Sequence, residues 1–449
     1  WTWISHCSNH EDSGLHGVTG SLEVESAMAG DSLPAGMSLP GDSAGENGNA
    51  LEAHGFLKVS ENGRGFVHAD GTPFFWLGDT VWACPSRATQ EEWEAYLDGR
   101  HRQGFNVAQV NLLPQHDASG TDYRVPFEEG PVVWNLERPN LSYFQRLDRM
   151  LAAAADRGMV TAGVVLWFDY VPGTNPAWSV YRKADFTPEL AGVFGRWLAA
   201  RYAAYGLVWL VSGDSDYESA YAAQVYSAAA HAILEGSPTG ALMTAHLNGG
   251  LSTPKNLHDA GWLNFHMYQS SHHLDSHLTA QRYSAEDRAL LPIRPVLNGE
   301  PAYENIGCYG REGTLGRDLV RKVAWYSLLS GGNAGITYGG HGLWSWHREG
   351  EAFAPGQVWG MPVDWRHAAA FPGSDDYARL KRFMEGCSWW NLEPVVSPFV
   401  TEEGREEPVC ATDGNVFLAY LAGPMKISAD NGTEGWAQAS WFNPARSEE

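Results

Sequence analysis

Cysteine is scarce in this chain. The five present (Cys7, Cys84, Cys308, Cys387 and Cys410) are odd in number and show no CxxC spacing, which argues against a disulfide framework or a cysteine zinc site. Basic residues are also short, with 30 Lys and Arg against 53 Asp and Glu and a formal net charge of −23. That field repels phosphate backbones and anionic membrane surfaces, so nucleic acid is not expected as a partner. It is indifferent to a neutral sugar. No apolar run approaches the length of a membrane span, so no membrane insertion is expected. GxGxxG and GxxxxGK[ST] loops are both missing, and no cofactor is expected.

Aromatic residues, in contrast, are abundant: 20 Trp, 18 Tyr and 17 Phe. Flat rings stack on the C–H faces of sugars, although a large fold also buries many aromatics for packing alone. The length of 449 residues leaves room for an α/β barrel of about 250 residues plus appended modules.

Residues 1–30 carry the alternating Trp1, Trp3, Ile4 and then Leu22, Val24, as in a remnant of an N-terminal β-sandwich. The opening residues read as the middle of something longer, so the missing signal peptide is uninformative and a secreted or periplasmic bacterial protein is expected. A Gly/Ser/Pro/Ala-rich stretch over 31–54 has linker composition. A hairpin around Asn62-Gly63 follows. From there strand and helix alternate. Strands are predicted at 73–79, 106–113, 160–168, 208–213, 242–248, 263–269, 295–300 and 334–339, and helices at 89–103, 141–157, 187–204, 217–235 and 317–330. Several strands are continuous apolar runs, as expected where both faces are buried. Thr187, Pro188 and Glu189 form a helix start. The pattern predicts a (β/α)8 TIM barrel over 55–388, with the fifth and sixth strands joined by a connection too short for a full helix. After a helix at 375–385, short alternating runs over 389–449 predict an incomplete all-β, sandwich-like module.

Reactive groups of such a barrel belong at the C-terminal strand ends. Those positions hold Asp79, Asn111, Asp169, Asp214, His246, Tyr268, Gln269 and Glu300, with His272 and Trp344 just beyond. Carboxylates ending strands four and seven suit a glycosidase, in which one acid protonates the leaving oxygen and the other attacks the anomeric carbon from ~5–5.5 Å across the site. We therefore expect Asp214 as acid/base and Glu300 as nucleophile. Asp79, Asn111, His246, Tyr268, Gln269 and His272 would bind sugar hydroxyls, with Tyr268 also orienting Glu300, and Trp344 would be a stacking platform. Asp216 reads instead as the N-cap of the next helix. Histidines near the mouth raise a metal-dependent hydrolase as a rival. Strand one lacks the His-x-His pair of such barrels, and adjacent His272 and His273 point apart, so no metal site is expected.

The segments DGTPFFWLGDTVW (70–82), VSGDSD (211–216), FHMYQSSHH (265–273), PVLNGEPAYE (295–304) and GITYGGHGLWSW (335–346) together resemble the apiosidase-like glycoside hydrolases, family 140 and its relatives. The resemblance runs over about residues 55–390. It implies a retaining hydrolase of polysaccharide side chains with Asp214 as acid/base, Glu300 as nucleophile, and Asp79, Gln269 and His272 lining the pocket. It also implies flanking β-sandwich modules. The turn Ser-Gly-Asp-Ser-Asp departs from the family's Gly-Gly-Asp pattern and leaves Asp216 without an inherited role. Alternatives at this stage are another furanosidase or pyranosidase specificity, or a non-catalytic carbohydrate-binding barrel. Oligomeric state has no signature in the sequence.

Overall fold

A computed structural model describes residues 2–4, 19–21, 50–115, 118–120, 124–129, 134–174, 184–237, 240–401, 406–423, 427–429 and 442–445. Eight parallel strands form its centre: β1 (Trp76–Thr80), β2 (Val107–Asn111), β3 (Val160–Trp167), β4 (Val208–Gly213), β5 (Leu242–Thr244), β6 (His266–Gln269), β7 (Val296–Glu300) and β8 (Gly335–Tyr338). They pair in the order β5-β4-β3-β2-β1-β8-β7-β6. At the seam the Asn264 N–H donates to Met243 O at 2.9 Å and Thr244 Oγ1 donates to Phe265 O at 2.7 Å. The result is a (β/α)8 barrel, closed to its last ladder.

Helices α1 (Gln90–Gln103), α2 (Leu141–Ala155), α3 (Pro188–Tyr202), α4 (Ala220–Gly236), α5 (Pro254–Leu257), α6 (Ser276–Arg288), α7 (Arg317–Leu329) and α8 (Pro372–Glu385) follow the strands in turn. The predicted Thr187 cap is present, its side chain accepting from Leu190 N, with Pro188 in the first turn. Helix α3 passes into a short 3-10 turn over Ala203–Tyr205 and stops at Gly206, whose φ of +65° suits glycine. The β5–β6 connection holds only the four-residue α5. Two expectations change. Helix α6 is absent from the predicted helices; its sequence is mostly polar, with only Leu278, Ala280, Tyr283 and Ala285 apolar. Helix α4 starts at Ala220 with Ser219 as its cap, not at Asp216.

Every barrel strand is buried along its full length, which is why the sequence shows runs rather than alternation. The interior carries a polar layer: Trp76 Nε1 donates to Thr337 Oγ1 at 3.0 Å, Thr337 donates to Gln109 Oε1 at 3.0 Å, and Gln109 Nε2 donates to Gly299 O at 2.8 Å. These bonds mark Trp76, Gln109 and Thr337 as inward-facing, so their strand neighbours Leu77 and Asp79 face the helices.

Ahead of the barrel, Leu57–Val59, Phe66–His68 and Pro73–Phe74 form a three-stranded antiparallel sheet. Its Phe66 packs on Trp76 and edge-on to Phe265, at 5.8 and 5.0 Å. After the barrel, Glu393–Val395 pairs with Val409–Thr412, which pairs with Phe417–Tyr420, while Phe399–Thr401 pairs with Ile427–Ala429. Tyr420 stacks on Trp325 of α7 at 5.3 Å. Of the expected N-terminal remnant, Thr2–Ile4 and Thr19–Ser21 pair antiparallel; most of the rest, and most of the linker, lies outside the described residues.

Candidate active site

Glu300, the last residue of β7, is buried with 5% of its surface exposed. Four side chains converge on its carboxylate, one of them Tyr303 through its hydroxyl. His246 Nε2 reaches Oε2 at 2.8 Å and His272 Nε2 reaches Oε1 at 3.2 Å, and the Gln269 side chain adds a further hydrogen bond. The Tyr303 N–H lies 3.4 Å from His272 Nδ1, so His272 accepts there and donates to Glu300 through Nε2. Burial holds His246 below the ordinary imidazole range in spite of the nearby carboxylate; its Nδ1 lies 3.0 Å from Leu247 O while its Nε2 meets Glu300, so both ring nitrogens face oxygen acceptors. Burial also pushes Glu300 upward. The His272 bond, the two imidazoles and Gln269 outweigh it and leave Glu300 below the usual carboxylate range. Glu300 is a buried anion kept ionised by hydrogen bonds.

The walls are aromatic. Trp82 lies 5.0 Å from the His246 ring and 5.9 Å from Trp167, and its Nε1 donates to Tyr303 Oη at 2.9 Å. The Tyr303 ring sits 4.5 Å from that of His272. Two glycines make room. A Cβ on Gly213 would meet Trp167 at 1.9 Å, and one on Gly339 would meet Tyr303 at 2.0 Å. Trp82, Trp167 and Tyr303 were absent from the expected set. Trp82 and Tyr303 each stand three residues after a strand-end acid, a spacing that carries no signal alone.

Asp214 follows β4 directly, three strands round the barrel from β7. Its φ is +48°, and Tyr217 in the same turn has +56°. Among the described residues all five non-glycine positions with positive φ (Asp214, Tyr217, Ser271, Asn305 and Trp346) lie in loops after β4, β6, β7 and β8. Such conformations cost roughly 1–3 kcal/mol each and cluster where function holds them. Asp216 is taken up locally, its Oδ1 accepting from Glu218 N at 3.0 Å. Asn111, at the end of β2, donates to Gln115 Oε1 at 2.8 Å. Its own Oδ1, like Trp167 Nε1, is buried without a partner among the described residues.

Three expected ligands of the sugar are corrected. Asp79 points away from the mouth, fully buried under α1, where Arg100 Nε donates at 2.6 Å and Tyr96 Oη at 2.9 Å. Tyr268 also faces the helices: its hydroxyl lies 2.7 Å from Ser284 Oγ and 3.3 Å from Ala280 O on α6. A register shift between Tyr268 and Gln269 pairs Tyr268 with Asn298 and Gln269 with Glu300, so a bulge hands the orienting role to Gln269. Trp344 keeps 4% exposure, donates to His341 Nδ1 at 3.2 Å and packs on Phe353 at 5.7 Å; it is a wall, not an open platform. His266 begins β6, at the far end of the strand from Gln269. Among the described residues no three His, Cys, Asp or Glu side chains are grouped as metal ligands.

Residues 60–391, more than half of the chain, match the apiosidase-like catalytic domain. The chain belongs to the apiosidase-like family. Among solved structures, this apiosidase-like barrel resembles a glycoside hydrolase family 5 protein from Bacteroides vulgatus, with 26% identity, a TM-score of 0.70, and coverage of 84% of this chain and 82% of that one. A second glycoside hydrolase matches at 25% identity and TM-score 0.68, covering 82% and 84%. A family 5 mannosidase from Rhizomucor miehei, at 14% identity and TM-score 0.52 over 74% of this chain and 99% of that one, shares the fold. No curated protein matches the chain. Family and neighbours make the apiosidase-like protein a glycoside hydrolase acting on carbohydrate. Among the described residues no helix is long and apolar enough to cross a membrane.

Proposed function

We propose that the chain is a retaining, exo-acting or short-oligosaccharide glycosidase of plant or microbial polysaccharide side chains, secreted or periplasmic in a bacterium. Glu300 attacks the anomeric carbon and forms the glycosyl-enzyme. Asp214 protonates the departing oxygen and then deprotonates the incoming water. Asn111, His246, Gln269 and His272 hold sugar hydroxyls or the carboxylate that meets them. The β segments at 1–30 and 389–449 are accessory modules on either side of the catalytic barrel at 55–388.

The observation that carries this reading is the state of Glu300. A carboxylate neutralised by Arg or Lys is a poor nucleophile, and a protonated one is none. Neighbouring side chains hold the Glu300 carboxyl below the usual carboxylate range and, among the described residues, it has no Arg or Lys in contact. Its donors can swing to a sugar hydroxyl as charge leaves the carboxylate. The strained turn that presents Asp214 supports the second role.

The deciding experiment follows, by proton NMR, the anomer first released from the best substrate in a panel of plant-wall and bacterial oligosaccharides. Retention of configuration is expected, and first-formed inverted product overturns the double-displacement reading. A 2-deoxy-2-fluoro glycosyl fluoride of the released sugar should leave a covalent adduct on the peptide containing Glu300. Activity should survive dialysis against a strong chelator.

A further inference from the structure

Two cavities lie away from Glu300. One of about 250 Å³ opens at the opposite end of the barrel, between Leu57–Val59 and the starts of β4 and β5. Lys58 is its one ionisable side chain. The other, of about 310 Å³, lies on the C-terminal face, lined by His273, Leu274, Asp275, Cys308, Tyr309 and Arg311 from the loops after β6 and β7. Its size falls at the lower end of the roughly 300–1,000 Å³ typical of small-molecule clefts.

This second cavity is joined to the candidate nucleophile by a line of rings. His272, in contact with Glu300, lies edge-on to Trp359 at 5.4 Å. Trp359 lies 5.7 Å from Tyr309, and Tyr309 lies 5.4 Å from His273. The Tyr309 N–H donates to His272 O at 3.2 Å, which ties the two loops together. Tyr309 and Leu274 are each 50% exposed. Among the described residues, no hydrogen bond or ion pair occupies the side chains of Arg311 and Asp275. Asp275 precedes α6 yet makes no cap bond.

We propose that this cavity is a second sugar subsite, holding a neutral glycosyl unit of the same chain that is cleaved at Glu300. The proposal rests on the glycosidase reading above. Tyr309 offers an exposed face to the C–H side of the ring. Arg311 donates, Asp275 accepts, and His273 does either, the complement that vicinal hydroxyls require. Charges of opposite sign in one cavity match a neutral ring. A uronate would gain Arg311 but meet Asp275, so an anionic unit is disfavoured.

The test uses neutral tetrasaccharides of arabinan, galactan, xylan and mannan, with tetragalacturonate as the anionic arm. Saturation-transfer NMR on the full chain carrying Glu300→Gln reads binding without turnover. At least one neutral tetrasaccharide should give a signal that Tyr309→Ala and Arg311→Ala each weaken at least about tenfold in affinity, the loss expected for one charged or stacked contact. In the chain with Glu300 intact, the same variants should raise KM for that substrate with kcat unchanged, the pattern of lost uniform binding. Hydrolysis of the matching aryl monoglycoside should be unaffected. Binding indifferent to both variants, or no neutral binding at millimolar ligand, overturns the subsite. Arg311-dependent binding of tetragalacturonate alone overturns its neutrality. Tyr309-dependent binding with no hydrolysis of any substrate would overturn the glycosidase mechanism and leave the subsite standing.

Discussion

Glu300 and Asp79 are both buried strand-end carboxylates of one barrel, and they have opposite fates. Asp79 faces the helices, where Arg100 at 2.6 Å and Tyr96 at 2.9 Å bind it permanently. Glu300 faces the mouth and is held by two imidazoles, an amide and the Tyr303 hydroxyl. Asp287 of α6 is a third case. It has Ser252 beside it and no cation in contact among the described residues, and burial pushes it up to about 7. The lesson is that depth alone assigns no role. A cation beside the carboxylate makes a structural strut, several converging donors make a charged and available group, and a single hydroxyl donor leaves a buried carboxyl that protonates near neutrality.

The sharpest way to break this comparison is Glu300→Gln, which should abolish essentially all turnover while the melting temperature stays near that of the parent, since the amide keeps shape and most hydrogen bonds. A variant that retains the parent rate removes Glu300 from the reaction. Next, Asp214→Asn should slow hydrolysis of unactivated alkyl glycosides by roughly 10²–10⁴ and lose much less on an activated aryl glycoside, whose leaving group needs no proton. Asp216→Asn keeps its turn to Glu218 and should retain most activity on both. If the leaving-group dependence appears with Asp216 instead, the acid is misassigned by two residues.

Asp79→Ala should strand the Arg100 charge and cost roughly 3–5 kcal/mol in denaturant unfolding, with little change in turnover per folded molecule. A large loss of kcat at unchanged stability would put Asp79 back in the site. His272→Ala tests the electrostatics more finely. The acidic limb of kcat/KM should report protonation of Glu300 in the free enzyme and should lie below the ordinary carboxylate range. Removing the His272 bond should move that limb to higher pH; an unmoved limb means another group sets it.

The last case is Asp287. Its folded pKa of about 7 stands above the unfolded value of about 3.9, so its contribution to stability is complete below about 4 and is lost as pH rises toward 7. The melting temperature of Asp287→Asn, relative to the parent, should therefore climb between about pH 4 and 7 and then level. A difference that does not vary with pH would show that the carboxyl is ionised throughout.

Local chemistry was enough to read the barrel, its strand–helix alternation, the Asn62-Gly63 hairpin, the Thr187 cap and the strand-end positions of Asp214 and Glu300. Each rests on contacts within a few residues, or on apolar runs that any eightfold α/β barrel must bury. The face on which a strand residue points was not readable. Where both faces are buried, alternation disappears from the sequence, and Asp79 and Tyr268 look no different from residues aimed at the mouth. One bulge before Gln269 then decided which side chain stands opposite Glu300. Trp82, Trp167, Tyr303 and the ring path to Tyr309 join the site only through packing between strands and loops far apart in the chain. Long-range closure sets which of many equivalent aromatics surround the carboxylate, and no local pattern encodes that choice.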